Sequence, residues 1–294
     1  MNYVIENSIL RVEISSLGGE LQSVVKDGQE YLWQADPAYW DGKAPNLFPY
    51  IGRLTEGKYR MNGNIYHLPI HGFVPETNLV REGQSRDSIA FRLDADASTL
   101  ACYPFDFTYR IIYALDENVL NVTYQVISHE DENMYFGIGG HPGFRVPLEE
   151  GLAFEDYYLE FEGCADGQNR IPTRIAFSPT CFLTGEDKPY PLKNGRIPLG
   201  HGLFDQDAIV LEGTAGKVRL GSDRGSRGVR VSYPDMKYIG FWHAVKQPAP
   251  YVCIEPWSSL PSRQDVVEDL AEQPGLICLA GGKTYTCRWL AEIF

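Results

Sequence analysis

Apolar and polar residues alternate at period two from the start of the chain. The pattern runs through residues 3–6, 10–14 and 20–25, and the turn Lys26-Asp27-Gly28-Gln29 closes the third run. Alternation punctuated by Gly and Asp turns marks half-buried antiparallel strands. The same texture predicts strands over 58–68 around Asn62-Gly63-Asn64, over Ser88–Asp94, and in a hairpin of 108–115 and 119–127 about Asp116-Glu117-Asn118. Further strands are predicted at 157–162, 208–211, 218–221, 229–233, 238–242, 251–255, 276–279 and 285–290. A single short helix is predicted near the C-terminus, over 262–273. There Ser262 can cap, Asp265 lies three residues on, Val266, Val267 and Leu270 form an apolar stripe, and Pro274-Gly275 end it. The reading is an all-β chain of stacked antiparallel sheets, with no repeat or linker to divide 1–294 into more than one domain.

Composition sharpens this. A hydrophobic share of 44% supports a large core, and 13% aromatics with 29 Gly and 19 Pro favour strands and turns over long helices. A net charge of −13 argues against nucleic acid and anionic membrane partners, which need clustered Lys and Arg, and disfavours a phosphorylated substrate. Neutral small molecules remain. The six cysteines show no CxxC pair and no zinc-like spacing, and Cys253 and Cys278, set among apolar neighbours, read as reduced residues packed as small hydrophobes. The N-terminus lacks a basic start or long apolar stretch, and no run approaches the roughly 20 apolar residues of a membrane span. A cytoplasmic protein, monomeric or homodimeric, is the expectation.

Three polar residues stand out against this background. His71 lies in Pro69-Ile70-His71-Gly72-Phe73, His141 in Gly139-Gly140-His141-Pro142-Gly143, and Glu255 closes the apolar run Tyr251-Val252-Cys253-Ile254-Glu255 before Pro256-Trp257. Imidazole exchanges protons near neutral pH, and a carboxylate removed from water becomes a usable base, so these residues suit acid/base catalysis. In the last run alternation places Tyr251, Cys253 and Glu255 on one face, and Pro256 is expected to end the strand. Trp257 beside Glu255 suits holding an apolar sugar face. A solvated carboxylate at a strand end, and a histidine bonded within a tight turn, are the plain alternatives. Arg53, in the apolar stretch 46–54, can hold substrate hydroxyls or form a structural ion pair. Asp205 and Asp207, ahead of a strand, can accept from hydroxyls or serve turn chemistry. His67 lies four residues before His71, but Pro69 between them opposes a helical metal pair. The irregular stretches 36–54 and 142–154 are expected to form loops over the site.

Taken in order, these segments resemble the aldose 1-epimerase (galactose mutarotase-like) family, and more closely its divergent branch associated with lactose operons. The match includes Ile14-Ser15-Ser16-Leu17-Gly18-Gly19-Glu20, Asn46-Leu47-Phe48-Pro49-Tyr50-Ile51-Gly52-Arg53, His71-Gly72-Phe73, Gly139-Gly140-His141-Pro142-Gly143-Phe144, Asp207-Ala208, Glu255-Pro256-Trp257 and Leu279-Ala280-Gly281-Gly282. The resemblance implies a large antiparallel β-supersandwich. It also implies interconversion of the anomers of a neutral aldohexose such as galactose or glucose, with Glu255 as general base and His141 as general acid. Arg53, His71 and Asp205 or Asp207 would hold hydroxyls, without metal or organic cofactor. One departure is Val74-Pro75-Glu76 after His-Gly-Phe, where this branch often continues Ala-Arg. Other readings stay open: a sugar-phosphate 1-epimerase, a non-catalytic sugar-binding or sensor protein on the same fold, and a metal-dependent isomerase.

Overall fold

The long hairpin seen in the sequence, Phe107–Asp116 with Val119–Ser128, lies near the middle of a nine-stranded antiparallel sheet in a computed structural model that describes residues 1–164 and 170–294. Tyr109, Ile111 and Tyr113 pair with Val126, Tyr124 and Val122, and all six are fully buried. The residues between them are only half-buried, because successive side chains of a strand point to opposite faces. From one edge the sheet runs Arg196–Pro198, Tyr157–Phe161, Lys217–Ser222, Val229–Ser232, Thr284–Ile293, the hairpin, Ser88–Asp94 and Val80–Gln84.

An eight-stranded sheet packs against it. Its strands run through Ile209–Glu212, Tyr238–Trp242, Tyr251–Trp257 and Gly139–Gly140 to Asn46–Leu47 at one edge, and Gly143–Arg145 also pairs with Tyr251–Trp257. Aromatic rings cross the interface: Phe48 meets Tyr109 at 5.0 Å and Phe107 at 5.3 Å, and Phe161 meets Phe241 edge-on at 5.7 Å. A four-stranded sheet begins the chain with Asn2–Glu6, Leu10–Ser15, Leu21–Lys26 and Gln29–Glu30. These layers are the all-β antiparallel sandwich expected from the alternation.

The predicted helix over 262–273 does not form. Ser262 accepts from the Thr55 N–H at 2.8 Å instead of capping, Asp265 takes a left-handed φ of 58°, and Arg60 exchanges backbone hydrogen bonds with Glu268 and Leu270. Those partners lie some 200 residues away in sequence, so no local signal reveals them. The α-helix among the described residues is Ala97–Cys102, where Asp96 accepts from the Ser98 and Thr99 N–H groups in a capping box.

Pro256 does not end its strand, which continues to Trp257. Ile254 and Ser258 donate their N–H groups to Pro142 and Ile138. By period two, the missing N–H of Pro256 faces the same side, opposite Gly140 at the end of its two-residue partner strand. Cys253 is buried as expected, whereas Cys278 is exposed in the edge strand Ile277–Leu279. Among the described residues no helix is long and apolar enough to cross a membrane.

Candidate active site

Strand Tyr251–Trp257 is buried along its whole length, with Val252 and Ile254 turned to the main core. Its other face carries Cys253, Glu255 and Trp257, beside Trp242 and Gly240 of the neighbouring strand. His141 follows Gly139–Gly140 on the opposite side of this strand, and Asp207 leads into Ile209–Glu212 two strands away. Adjacent strands of one sheet therefore deliver residues that are far apart in the chain to one place. Arg53, His71, His141, Asp207, Glu255 and Trp257 line a single cleft of about 170 Å3.

Asp205 is absent from this lining. It is exposed at the end of the 3-10 turn His201–Phe204, while Asp207, with φ 76°, turns its carboxylate into the cleft. Asp207 Oδ1 accepts from its neighbour Ala208 N–H at 2.7 Å, and Oδ2 from the Cys181 thiol at 3.0 Å. Arg53 is exposed at the cleft mouth and makes no ion pair among the described residues, which removes the structural-pair alternative. Trp257 is buried in the lining, its indole N–H close to the Glu255 carboxyl but short of full hydrogen-bond geometry.

The histidine turns are built by close backbone approach. A Cβ on Gly140 would stand 3.0 Å from Trp289 Nε1 and 3.1 Å from Tyr124 Oη, so a side chain before His141 would press on this buried network. Gly72, with φ 75°, would carry its Cβ within 2.3 Å of Phe48 O. His71 itself has φ 66° and is locked to Gly52: its N–H donates to Gly52 O at 3.0 Å, and its Nδ1 accepts from Gly52 N–H at 3.1 Å. With Nδ1 an acceptor, the neutral ring carries its proton on Nε2. Although part of the ring opens to the cleft, the surrounding protein dominates. Burial, helped by nearby His141 and Arg53, pushes the His71 pKa down to about 3.

His141 lies between Trp40 and Trp242, with ring centroids at 5.1 and 5.8 Å, and edge-on to His71 at 5.5 Å. Its Nε2 stands 3.1 Å from Glu255 Oε2, with side chains 12% and 1% exposed. The ring does not aim a hydrogen bond at that oxygen, and both Glu255 Oε2 and His141 Nδ1 are buried without a hydrogen-bond partner. Burial pushes His141 down to about 4, against smaller raising effects of its own backbone and Asp207. Burial, reinforced by the charge of Asp207, pushes the Glu255 carboxyl well above its ordinary value, and the Trp257 indole offsets this only in part. At neutral pH the pair therefore favours a protonated carboxyl beside a neutral imidazole over a carboxylate beside an imidazolium.

The aldose 1-epimerase family model matches residues 1–269. This chain belongs to the aldose 1-epimerase family. Among relatives of this family member are the plasmid and chromosomal forms of protein LacX from Lactococcus lactis subsp. lactis, each 35% identical over 286 residues and covering 93% of both chains. Similar solved structures include a galactose mutarotase related enzyme from Lactobacillus acidophilus (34% identity, TM-score 0.94, 100% of this chain and 97% of that one). A galactose mutarotase-like protein from Lactobacillus casei is 29% identical with a TM-score of 0.93, and each chain is covered completely. The family makes this chain an enzyme of the isomerase class acting on sugars, on the branch that LacX represents.

Several lining residues of this family member escape the sequence reading. Cys181, with φ 66°, and Trp242 line the cleft, and Trp40 reaches His141 from the stretch 36–54. Their partners lie in distant strands, so no spacing rule marks them. The stretch 142–154 does not cover the site as expected, because Gly143–Arg145 pairs into the sheet against Tyr251–Cys253. Pro75, where the branch often has Arg, packs against Gly18 and is not part of the lining. Among the described residues, metal-binding atoms converge at His141, Cys253 and Glu255, all within 4.8 Å of one another, and neither His67 nor His71 joins them.

Proposed function

We propose that this protein interconverts the α and β anomers of a neutral aldohexose, with Glu255 and His141 as the acid/base pair. The carrying observation is the 3.1 Å approach of two oppositely perturbed, buried groups on the floor of a cleft with hydroxyl-binding residues around it. Glu255 takes the proton of the anomeric hydroxyl, and the O–H electrons form the C1=O bond. The C1–O5 bonding pair moves to the ring oxygen, which receives a proton from His141. Rotation about C1–C2 and reversal of the transfers on the other face of the aldehyde give the second anomer.

In this scheme ring opening converts carboxylate and imidazolium into carboxylic acid and neutral imidazole. That neutral arrangement is the one burial favours, so the site stabilises the protonation state that accompanies the open-chain sugar. His71 donates from Nε2 to a sugar oxygen, while Arg53 and Asp207 bind hydroxyls and Trp257 faces an apolar edge of the ring. The reaction already proceeds slowly in water, so acid and base contributions of about 10²–10⁴ each, with positioning, suffice. Among the described residues Arg53 is the only Lys or Arg in the lining, which speaks against a phosphorylated substrate, and a pure binding role leaves the matched acid and base without purpose. Polarimetry of freshly dissolved α-D-glucose and α-D-galactose tests the proposal: pure protein should hasten the approach to equilibrium, and no acceleration across a panel of aldoses would sink it.

A further inference from the structure

We propose that the floor of this cleft also binds a thiophilic divalent cation of the zinc class, held by His141, Glu255 and Cys253, and that occupancy switches off the acid/base chemistry. The inhibitory half rests on the reading given under Proposed function; the binding half does not.

Strand geometry makes the site. Alternation along Tyr251–Trp257 sets Cys253 and Glu255 on the same face, two residues apart. Gly143 pairs with Cys253 and Gly139 with Trp257, so the His141 turn is pinned over the interval between them. The donor atoms lie within 4.8 Å of one another. Bonds of 2.0–2.3 Å in a tetrahedral zinc complex place ligand atoms about 3.3–3.8 Å apart, so the widest gap needs to close by only about one ångström. Histidine nitrogen, thiolate sulfur and carboxylate oxygen suit zinc, and disfavour magnesium and calcium, which prefer oxygen alone.

Two further observations point to a ligand here. Glu255 Oε2 and His141 Nδ1 are buried polar atoms without hydrogen-bond partners, and such atoms are uncommon in folded proteins unless something binds them. Cys253 is fully buried against an apolar cluster with Trp33, Ala244 and Tyr251, and makes no hydrogen bond among the described residues. Three protein ligands leave a fourth position toward the cleft for water or a sugar oxygen. Binding forms three dative bonds and sends the thiol proton, with any carboxyl proton, to solvent; no electron is transferred. The metal then occupies the Glu255 oxygen and the His141 nitrogen that would exchange protons with a sugar, and its charge weakens the carboxylate as a base and keeps the bound imidazole nitrogen from taking up a proton.

The test uses the full-length protein stripped of metal with a chelator. Titration with Co2+ should give a sulfur-to-metal charge-transfer band at about one metal per chain, retained in Cys181→Ser and lost in Cys253→Ser and Cys253→Ala. Zinc affinity measured by calorimetry should fall at least about tenfold in the Cys253 variants and in Glu255→Gln, which guards against misfolding of a buried cysteine variant. Saturating zinc should abolish mutarotation, and chelator should restore it. Absence of stoichiometric binding to the unmodified protein, a band that survives both Cys253 substitutions, or full activity at saturating zinc would each overturn the inference. Metal binding is read without sugar, so a protein that bound zinc but never accelerated mutarotation would refute the proposed function and leave the metal site standing.

Discussion

His141 Nε2 and Glu255 Oε2 stand 3.1 Å apart on the cleft floor, and burial drives their pKa values in opposite directions, the carboxyl up and the imidazole down. A pair that holds one proton loses competence at low pH only when a second proton arrives. The acid limb of kcat/KM for mutarotation should therefore fall near 4, the value to which His141 is lowered, and not near its ordinary 6.5. Glu255→Gln should lower kcat by about 10²–10⁴. An acid limb near 6.5, or an undiminished variant, contradicts the assigned roles.

The two histidines should separate kinetically. Under the proposed roles, His141→Ala removes the proton-transfer group and should chiefly reduce kcat, while His71→Ala removes a positioning donor and should also raise KM. Nitrogen NMR should show His71 neutral, with Nδ1 unprotonated, down to about pH 4, since its pKa is held near 3. Protonation of His71 at pH 6 would disprove the Gly52 lock.

Asp207 and Asp205 differ by position alone. Asp207→Asn should raise KM by about 10-fold or more, because a hydrogen bond to a charged group contributes about 1.5–3 kcal/mol. Asp205→Asn, in an exposed turn outside the lining, should leave KM unchanged. Steady-state kinetics on both variants decides between them.

Gly140→Ala tests the backbone approach beneath His141. Its Cβ would press on Trp289 Nε1 and Tyr124 Oη at 3.0 and 3.1 Å, and overpacking of this kind costs about 1–3 kcal/mol. Denaturant unfolding should show that loss, together with reduced activity as His141 shifts. A variant as stable and active as the parent would show that the network yields freely.

Acid should destabilise the fold through the histidines. Their folded pKa values, about 3 for His71 and about 4 for His141, lie below the ordinary 6.5. The unfolded chain therefore binds more protons below pH 6.5, and stability from these groups is lost as pH falls from there toward 4 and 3. Glu255, raised, works the other way and loses stability as pH climbs through its folded pKa. Thermal melts across pH 4–7 should show Tm dropping on acidification, and replacement of both histidines should flatten that slope.

Much of this was legible from residue order because alternation is local. Ser88–Asp94 and Tyr238–Trp242 have the boundaries predicted, and period two alone put Cys253 and Glu255 on one face. The helix over 262–273 failed for the complementary reason. Its caps and stripe were sound local signals, but Thr55 and Arg60 supplied backbone partners that outcompeted them.

The sequence by itself determined the strand pattern, the all-β class and the residue types able to exchange protons, since each depends on near neighbours and side-chain chemistry. Only the tertiary structure placed Asp207 and not Asp205 in the cleft lining, drew Cys181 and the tryptophans to the cleft, and set Cys253 beside His141 and Glu255. Those relations are distances between strands far apart in the chain. Sheet pairing and burial create them, and no spacing along the sequence encodes them.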